Sequence, residues 1–352
     1  MIRFTWLQFR AQTSVAAGAL AVLAIILVVT GPQLAHLYAT TVAACPAQHD
    51  CQDAVGAFTS QDSFVRSLVG LVMEAGPALI GMFWGAPLIA RELETGTYRL
   101  ALTQSVARRR WLAVKLALAG LASMATAGLL SVVVTWWAGP LDRAAMNQFA
   151  TFDQRGIAPI GYAAFAFTLG VLAGALIRRT LPAMAVTLAV FIAARLAELT
   201  YVRPRLFSPV LLNLALNPRS TGYGQAGTLS VLFGSPTLMP NPPDLPNTWI
   251  TSLTIANARG EGLTTGELNA ACPGIGQGRG GGSGGGLSHT RAPQAVVTRL
   301  QDCVAKIGTT YHEAVVYQPA GHYWPLQWYE LAIFLAAALV LAGACLWRIR
   351  RA

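Results

Sequence analysis

Apolar residues run almost unbroken through 14–38, 67–90, 112–137, 158–177, 181–202 and 327–347, and polar residues gather between those runs. A helix needs roughly 20 such residues to cross a hydrocarbon core about 30 Å thick, and each run meets that length. Inside lipid every backbone N–H and C=O must be satisfied within its own segment, so the runs predict six transmembrane helices. Ahead of the first run, Ile2, Trp6 and Phe9 fall on one helical stripe with Arg3 and Arg10 beside it. That pattern predicts a helix lying in the interface, with a frayed terminus as the alternative. The first run is too long for a secretory leader, and no clean small-x-small cleavage site follows it.

The chain therefore reads as an all-α polytopic membrane protein with a small α+β extracytoplasmic domain between spans five and six. The predicted parts are an interfacial helix at 1–12, spans one to five over 13–202, a separate domain at 203–326, and the sixth span with a basic tail at 327–352. The 203–326 segment is too long for a bare connection. Within it Thr228–Phe233 and Trp249–Ile255 have strand-like β-branched and aromatic content. Ala292–Ile307 reads as an amphipathic helix with Val296, Leu300 and Cys303 on one face. Gly278–Gly286, GRGGGSGGG, lacks the Lys-Ser/Thr of a phosphate-binding loop and reads as a flexible linker.

Composition agrees: 54% of residues are hydrophobic and 11% charged, against about 25% charged in ordinary soluble domains. With the N-terminus inside, the inner segments collect Arg3, Arg10, Arg91, Arg99, Arg108, Arg109, Arg110, Lys115, Arg178, Arg179, Arg348, Arg350 and Arg351, and only Glu92 and Glu94 oppose them. This asymmetry is the positive-inside pattern and predicts that both termini are cytoplasmic. The sequence pI near 9.8 then reflects topology rather than nucleic-acid binding. The predicted location is a bacterial plasma membrane, crossed several times.

In that orientation Cys45, Cys51, Cys272 and Cys303 lie outside, where thiols oxidise, and Cys345 lies in the sixth span. Four cysteines allow three pairings, of which Cys45–Cys51 with Cys272–Cys303 is the most local. A zinc site using His49 is the alternative for the first pair, although the spacing matches no common zinc pattern.

The richest connection is Phe83–Lys115, FWGAPLIARELETGTYRLALTQSVARRRWLAVK. The second span should run to about Glu94, with Gly96 closing its C-terminus in the left-handed conformation and Ser105 capping the next helix. The result is a helix–turn–helix knuckle carrying acids, Tyr98 and several arginines; anchoring to anionic headgroups is the alternative reading. The run ARELETGTYRLALTQSVARRRWLAVK resembles the segment after the second span in permease subunits of the type-2 ABC exporter family. Six spans, inner termini and an N-terminal interfacial helix match that family over most of the chain, and YQPAGHYWPLQWYE (317–330) is similar to actinobacterial members. The domain of about 120 residues departs from the compact members of the family, whose outer loops are short.

The resemblance implies a transport subunit that pairs with a second permease copy, identical or paralogous, and with two separate ATPase subunits that bind ATP and Mg. Segment 91–111 would be the coupling helix, using Arg91, Glu92, Glu94, Gly96, Thr97, Tyr98, Arg99, Gln104, Ser105, Arg108, Arg109 and Arg110. Glu92 and Glu94 would meet basic ATPase residues, and the arginines acidic ones or lipid phosphate. This chain has no G-x-x-x-x-G-K-[ST], so it binds no ATP through such a motif itself, and no cofactor, metal or catalytic residue is expected in it. An ionisable residue at membrane depth is costly and marks a functional position. Glu74 beside Pro77, and Arg195 with Glu198 one turn on, could meet in one layer, predicting a Glu74–Arg195 pair that gates the path. A structural pair or snorkelling to the interface is the alternative. Apolar spans suit a hydrophobic or amphipathic cargo: drug, peptide or lipid. Two other function classes stay open, a membrane hydrolase or acyltransferase, which lacks H-E-x-x-H and G-x-S-x-G, and a sensor or scaffold whose outer domain binds a ligand.

Overall fold

A computed structural model describes residues 2–45, 51–61, 63–94, 108–145, 147–216, 229–232, 235–238, 245–273 and 294–351. Six helical segments in it are long and apolar enough to cross a membrane: Ala21–Val42, Ser63–Glu94, Leu112–Ala144, Gln148–Ile177, Thr180–Leu206 and Ala320–Arg348. The chain divides into two compact units, Met1–Leu206 with Gly321–Ala352, and Phe207–Ala320.

In the first unit the fourth span is the hub. Two thirds of its apolar window is buried (67%) against 17% for the fifth span, so its surroundings are other helices rather than solvent or lipid. Spans two, three, five and six all pack on it. Its partners approach closely because two small-residue motifs face each other: Gly81-Met-Phe-Trp-Gly85 in the second span and Gly170-Val-Leu-Ala-Gly174 in the fourth. A Cβ at Gly85 would stand 2.4 Å from the Phe167 carbonyl oxygen, and one at Gly174 would stand 2.4 Å from that of Ala86. Small residues let helix backbones touch, and in lipid such packing replaces the hydrophobic drive. The second span takes a π-helical turn at Gly81–Gly85, at this crossing. The first span lies against the third, where Gly31 accommodates Trp136 and the Trp137 indole donates to the Thr30 hydroxyl at 3.0 Å.

Three segments differ from the sequence reading. Ile2–Leu37 is one helix, so 2–12 continues into the first span without a break. The third helix, Arg108–Ala145, runs through Gly139-Pro140 and takes up the first eight residues of the 138–157 connection between the third and fourth apolar runs. The fifth span ends in a π-helical turn, Glu198–Val202, and one further helical turn, Arg203–Leu206, so Arg203 belongs to the helical unit rather than to the 203–326 domain.

The second unit holds a three-stranded antiparallel sheet in the order β1 (Val210–Ala215), β5 (Tyr311–Gln318), β4 (Trp249–Asn257). A hairpin of β2 (Leu229–Leu232) and β3 (Ser235–Leu238) stands apart in sequence order. β2 and β4 fall where β-branched content predicts strands, and the helix expected at 292–307 is observed as Gln294–Ile307. Leu216, Ile255, Leu268, Val304 and Ile307 form this unit's core, together with the Cys272–Cys303 disulfide that links helix Thr265–Ala271 to helix Gln294–Ile307. Cys45–Cys51 is the other disulfide, which gives Cys45 a sulfur partner in place of zinc; His49 lies outside the described residues. Cys345 is a buried free thiol.

Candidate functional site

The helical unit carries two candidate regions, one at each end, and the second span reaches the first of them. At its last turn, Glu92 is buried and forms an ion pair with Lys115, which is 1% exposed at the start of the third span. Two residues on, Glu94 reaches the fifth span: the Thr180 backbone N–H donates to Oε1 at 3.1 Å and the Thr180 hydroxyl to Oε2 at 2.6 Å. A carboxylate at a helix N-terminus satisfies orphan N–H groups and complements the helix dipole. Arg179 precedes that helix and offers no side-chain cap of its own, so the cap is borrowed from another span. Glu92 and Glu94, expected to meet an ATPase, thus have partners inside the chain. The reason is geometric: residues 92 and 94 still belong to the helix, which ends at Glu94 and keeps both acids beside the neighbouring spans.

Arg91 and Arg110 are exposed at this same end of the bundle. Arg108 and Arg109 lie in the first turn of the third helix. Gly96, Thr97, Tyr98, Arg99, Gln104 and Ser105 lie outside the described residues. The turn between spans four and five is also here; Arg178 takes a left-handed conformation (φ 60°) to close the fourth span, an uncommon position for a side chain with a Cβ.

At the opposite end the structure assembles a buried ionic cluster. Arg195 donates to Asp153 at 2.8 Å and to Glu198 at 2.5 Å. Arg203 donates to Glu198 at 3.1 Å and Glu330 at 2.6 Å, and it also pairs with Asp153. The Tyr162 hydroxyl donates to Glu330, and its ring lies 3.8 Å beneath the Arg195 guanidinium. Glu198 and Arg203 are five residues apart, about 140° around an α-helix and so on different faces. The π-helical turn brings i and i+5 into line, and the Arg203 backbone N–H bonds the Glu198 carbonyl in the same way. The cluster ties spans four, five and six together with three carboxylates against two guanidiniums.

Beside it, Gln327 of the sixth span caps the fourth. Its Oε1 accepts from the N–H groups of Ile157 (3.0 Å) and Ala158 (2.8 Å), while its Nε2 donates to the carbonyls of Phe152 (3.0 Å) and Arg155 (3.2 Å). Gly156 is obligatory there: its φ is +77°, and a Cβ would stand 2.7 Å from Gln327 Oε1.

The expected Glu74–Arg195 pair is absent. Arg195 is taken up by Asp153 and Glu198, which sit on the adjoining turns of spans four and five. Glu74 is on the exposed face of the second span, and its partner is the Gln154 amide at 3.4 Å. Pro77 is buried within the helix, one turn on. Sequence reading finds Arg195 and Glu198 but misses Asp153, Tyr162, Arg203, Gln327 and Glu330. Glu330 alone carries a usable signal, an acid one turn inside the sixth apolar run; Asp153 and Arg203 lie just beyond their runs.

No curated protein and no solved structure matches this chain. A family model described as ABC-2 membrane transporter related matches residues 17–203, more than half of the chain, covering the glycine crossing, the Glu92–Lys115 pair and the whole of the 91–110 connection. With six apolar helices around that matched region, the chain is a multi-pass membrane protein that belongs to the ABC-2 membrane transporter related family.

Proposed function

We propose that this chain is the permease subunit of an ATP-driven exporter. Two copies, or one copy with a paralogue, form the path, and two separate ATPase subunits bind ATP and Mg. The family match over 17–203 carries this reading, because it includes the connection that would meet the ATPase. The anchoring of that connection supports it. Glu92 fixes the end of the second span to the third, and Glu94 fixes it to the fifth. A push on the segment between them therefore moves three spans together, and the glycine crossing passes the movement to the hub. Contact with the ATPase then falls to exposed arginines such as Arg91 and Arg110 and to the turn around Arg99, not to the two acids.

The same end gathers the arginines of 91–110 and Arg178–Arg179, which supports placing it in the cytoplasm with both termini. The ionic-cluster end of the helical unit would then face outward. The test is co-purification. The tagged full chain should bring down a Walker-motif ATPase, and Arg99→Glu with Arg110→Glu should release it while the chain stays monodisperse. Isolation of the intact chain without any ATPase, from cells that express its neighbouring genes, refutes the reading.

A further inference from the structure

Glu198 and Glu330 compete for one edge of one guanidinium. Arg203 Nε, which carries a single hydrogen, lies 3.1 Å from Glu198 Oε1 and 2.6 Å from Glu330 Oε1. Nη2 lies 3.5 Å and 3.1 Å from their Oε2 atoms. Such an edge fits one carboxylate as a two-bond fork. The opposite edge, Nη1 with Nη2, is taken by Asp153. Two oxygens around the same Nε stand no farther apart than the sum of its two distances, 5.7 Å.

The neighbouring elements bring no further positive charge to this pair. On the fifth span Arg195 is shared between Glu198 and Asp153. From the fourth come the Asp153 carboxylate and the Tyr162 hydroxyl, which donates to Glu330. Arg155 is matched by Asp142 of the third helix and lies over the Tyr323 ring of the sixth. Gln327 is an uncharged amide, and Glu74 of the second span meets the Gln154 amide. Among the described residues the cluster thus keeps three carboxylates against two guanidiniums. No three His, Cys, Asp or Glu side chains among them converge on a point where a metal ion could sit. Burial decides where the excess falls. The Asp153 side chain is 25% exposed, so water screens it, whereas Glu198 is 5% and Glu330 0% exposed. Ionising two carboxylates this close and this dry is costly, and one proton held between them removes the second charge.

We propose that Glu198 and Glu330 form a proton-binding site, in which one proton shared by the two carboxyl groups completes the joint between the fifth and sixth spans. With it the cluster is electrically neutral: one acid takes the Arg203 edge as a carboxylate, and the other is a hydrogen-bond donor to it. Moving the sixth span away divides the pair. Glu198 then keeps Arg195 and Arg203 on its own helix, and the proton leaves with Glu330 or passes to water. The site belongs to the helical unit alone and needs no ATPase to form.

Infrared spectroscopy of the full chain tests this, in a maltoside detergent that has no ester carbonyl to overlap the signal. At neutral pH the wild type should show the carbonyl stretch of a protonated carboxylic acid above the amide bands, lowered in heavy water and lowered again by isotopically labelled glutamate. Glu198→Gln and Glu330→Gln should each abolish it, because the acid that remains has the Arg203 edge to itself and ionises. Glu267→Gln, an exposed acid of the other unit, should leave it unchanged. Glu198→Asp and Glu330→Asp keep the charge count and serve if a Gln variant does not fold; both should shift the band, since both acids touch the same proton. Absence of the band in the wild type, indifference to labelled glutamate, survival in either Gln variant, or an unmoved band in either Asp variant overturns the proposal.

Discussion

Replacing Gly170 by alanine should separate the second span from the hub. The added Cβ would stand 2.2 Å from the Gly81 carbonyl oxygen and 2.8 Å from the Ala86 nitrogen, whereas ordinary contact begins at 3.4 Å. Both obstacles are backbone atoms, which cannot rotate away, so the helices must part by the difference, 3.4 − 2.2 = 1.2 Å. A gap of about 0.5–1 Å already forfeits a quarter to a half of a contact's dispersion energy, and here it opens along the whole Gly81, Gly85, Gly174 seam. The expected cost is about 3 kcal/mol, the upper end for overpacking, or roughly a hundredfold in the unfolding equilibrium. Gly343→Ala is the control, because its Cβ meets nothing within 4 Å and should gain up to about 1 kcal/mol of helix propensity. Titration of the folded fraction with SDS in mixed micelles reads both variants. If Gly170→Ala unfolds at the same SDS fraction as Gly343→Ala, the backbone contact is not what holds the crossing.

Three other outcomes are expected. Lys115→Met strands the Glu92 carboxylate in a buried site and should cost about 3–5 kcal/mol in the same titration, whereas Glu92→Leu with Lys115→Met should recover most of it; equal losses would count against the pair. In the ionic cluster, Arg203→Gln leaves three carboxylates to Arg195 and should reduce folded yield severely, while Glu198→Gln, which balances the charges, should be tolerated; the opposite ranking would reverse the charge assignment. In the second unit the Thr264 hydroxyl and N–H, with the Tyr311 hydroxyl, hold the exposed Glu267 carboxyl below its ordinary range. A depressed folded-state value means that this capping contribution is complete above the ordinary carboxylate range and is lost as pH falls through the lower value. The protection of amides in helix Thr265–Ala271, taken relative to the intrinsic exchange rate at each pH, should therefore fall on acidification in the wild type and lose that dependence in Glu267→Gln; an unchanged pH profile in the variant would refute the capping role.

The spans were legible because hydropathy is additive along a chain and lipid leaves a run of 20 apolar residues few choices. Local turns were less so. The third apolar run ends at 137, yet the third helix continues through Pro140 to Ala145, since neighbouring groups in a bundle can take over the backbone bonds that proline frees. Strands β1 and β5 escaped notice because their pairing is non-local: Val210 meets Tyr317 across more than a hundred residues. The glycine motifs of spans two and four are visible as spacing, but only the fold says that they face each other. Arg195 and Glu198 were found at helical spacing, and Arg203 was not, because i and i+5 pair only where the helix widens into a π turn. Glu92 shows the converse, a charged residue near a basic turn that reads as facing outward although the helix holds it against the third span, whereas Glu94 stays exposed while it caps the fifth.

The ionic cluster also sets an order of events during synthesis. Asp153, Arg195, Glu198 and Arg203 come from spans four and five, two acids and two bases, so a chain made only that far is already neutral at this point. Glu330 follows Arg203 by 127 residues, which at about 5–20 residues per second takes roughly 6–25 s. A five-span intermediate can therefore wait in the membrane without an uncompensated charge while the 207–320 unit is made and oxidised at Cys272–Cys303. The sixth helix then arrives bearing the surplus carboxylate, with Tyr162 and Arg203 already in place to receive it.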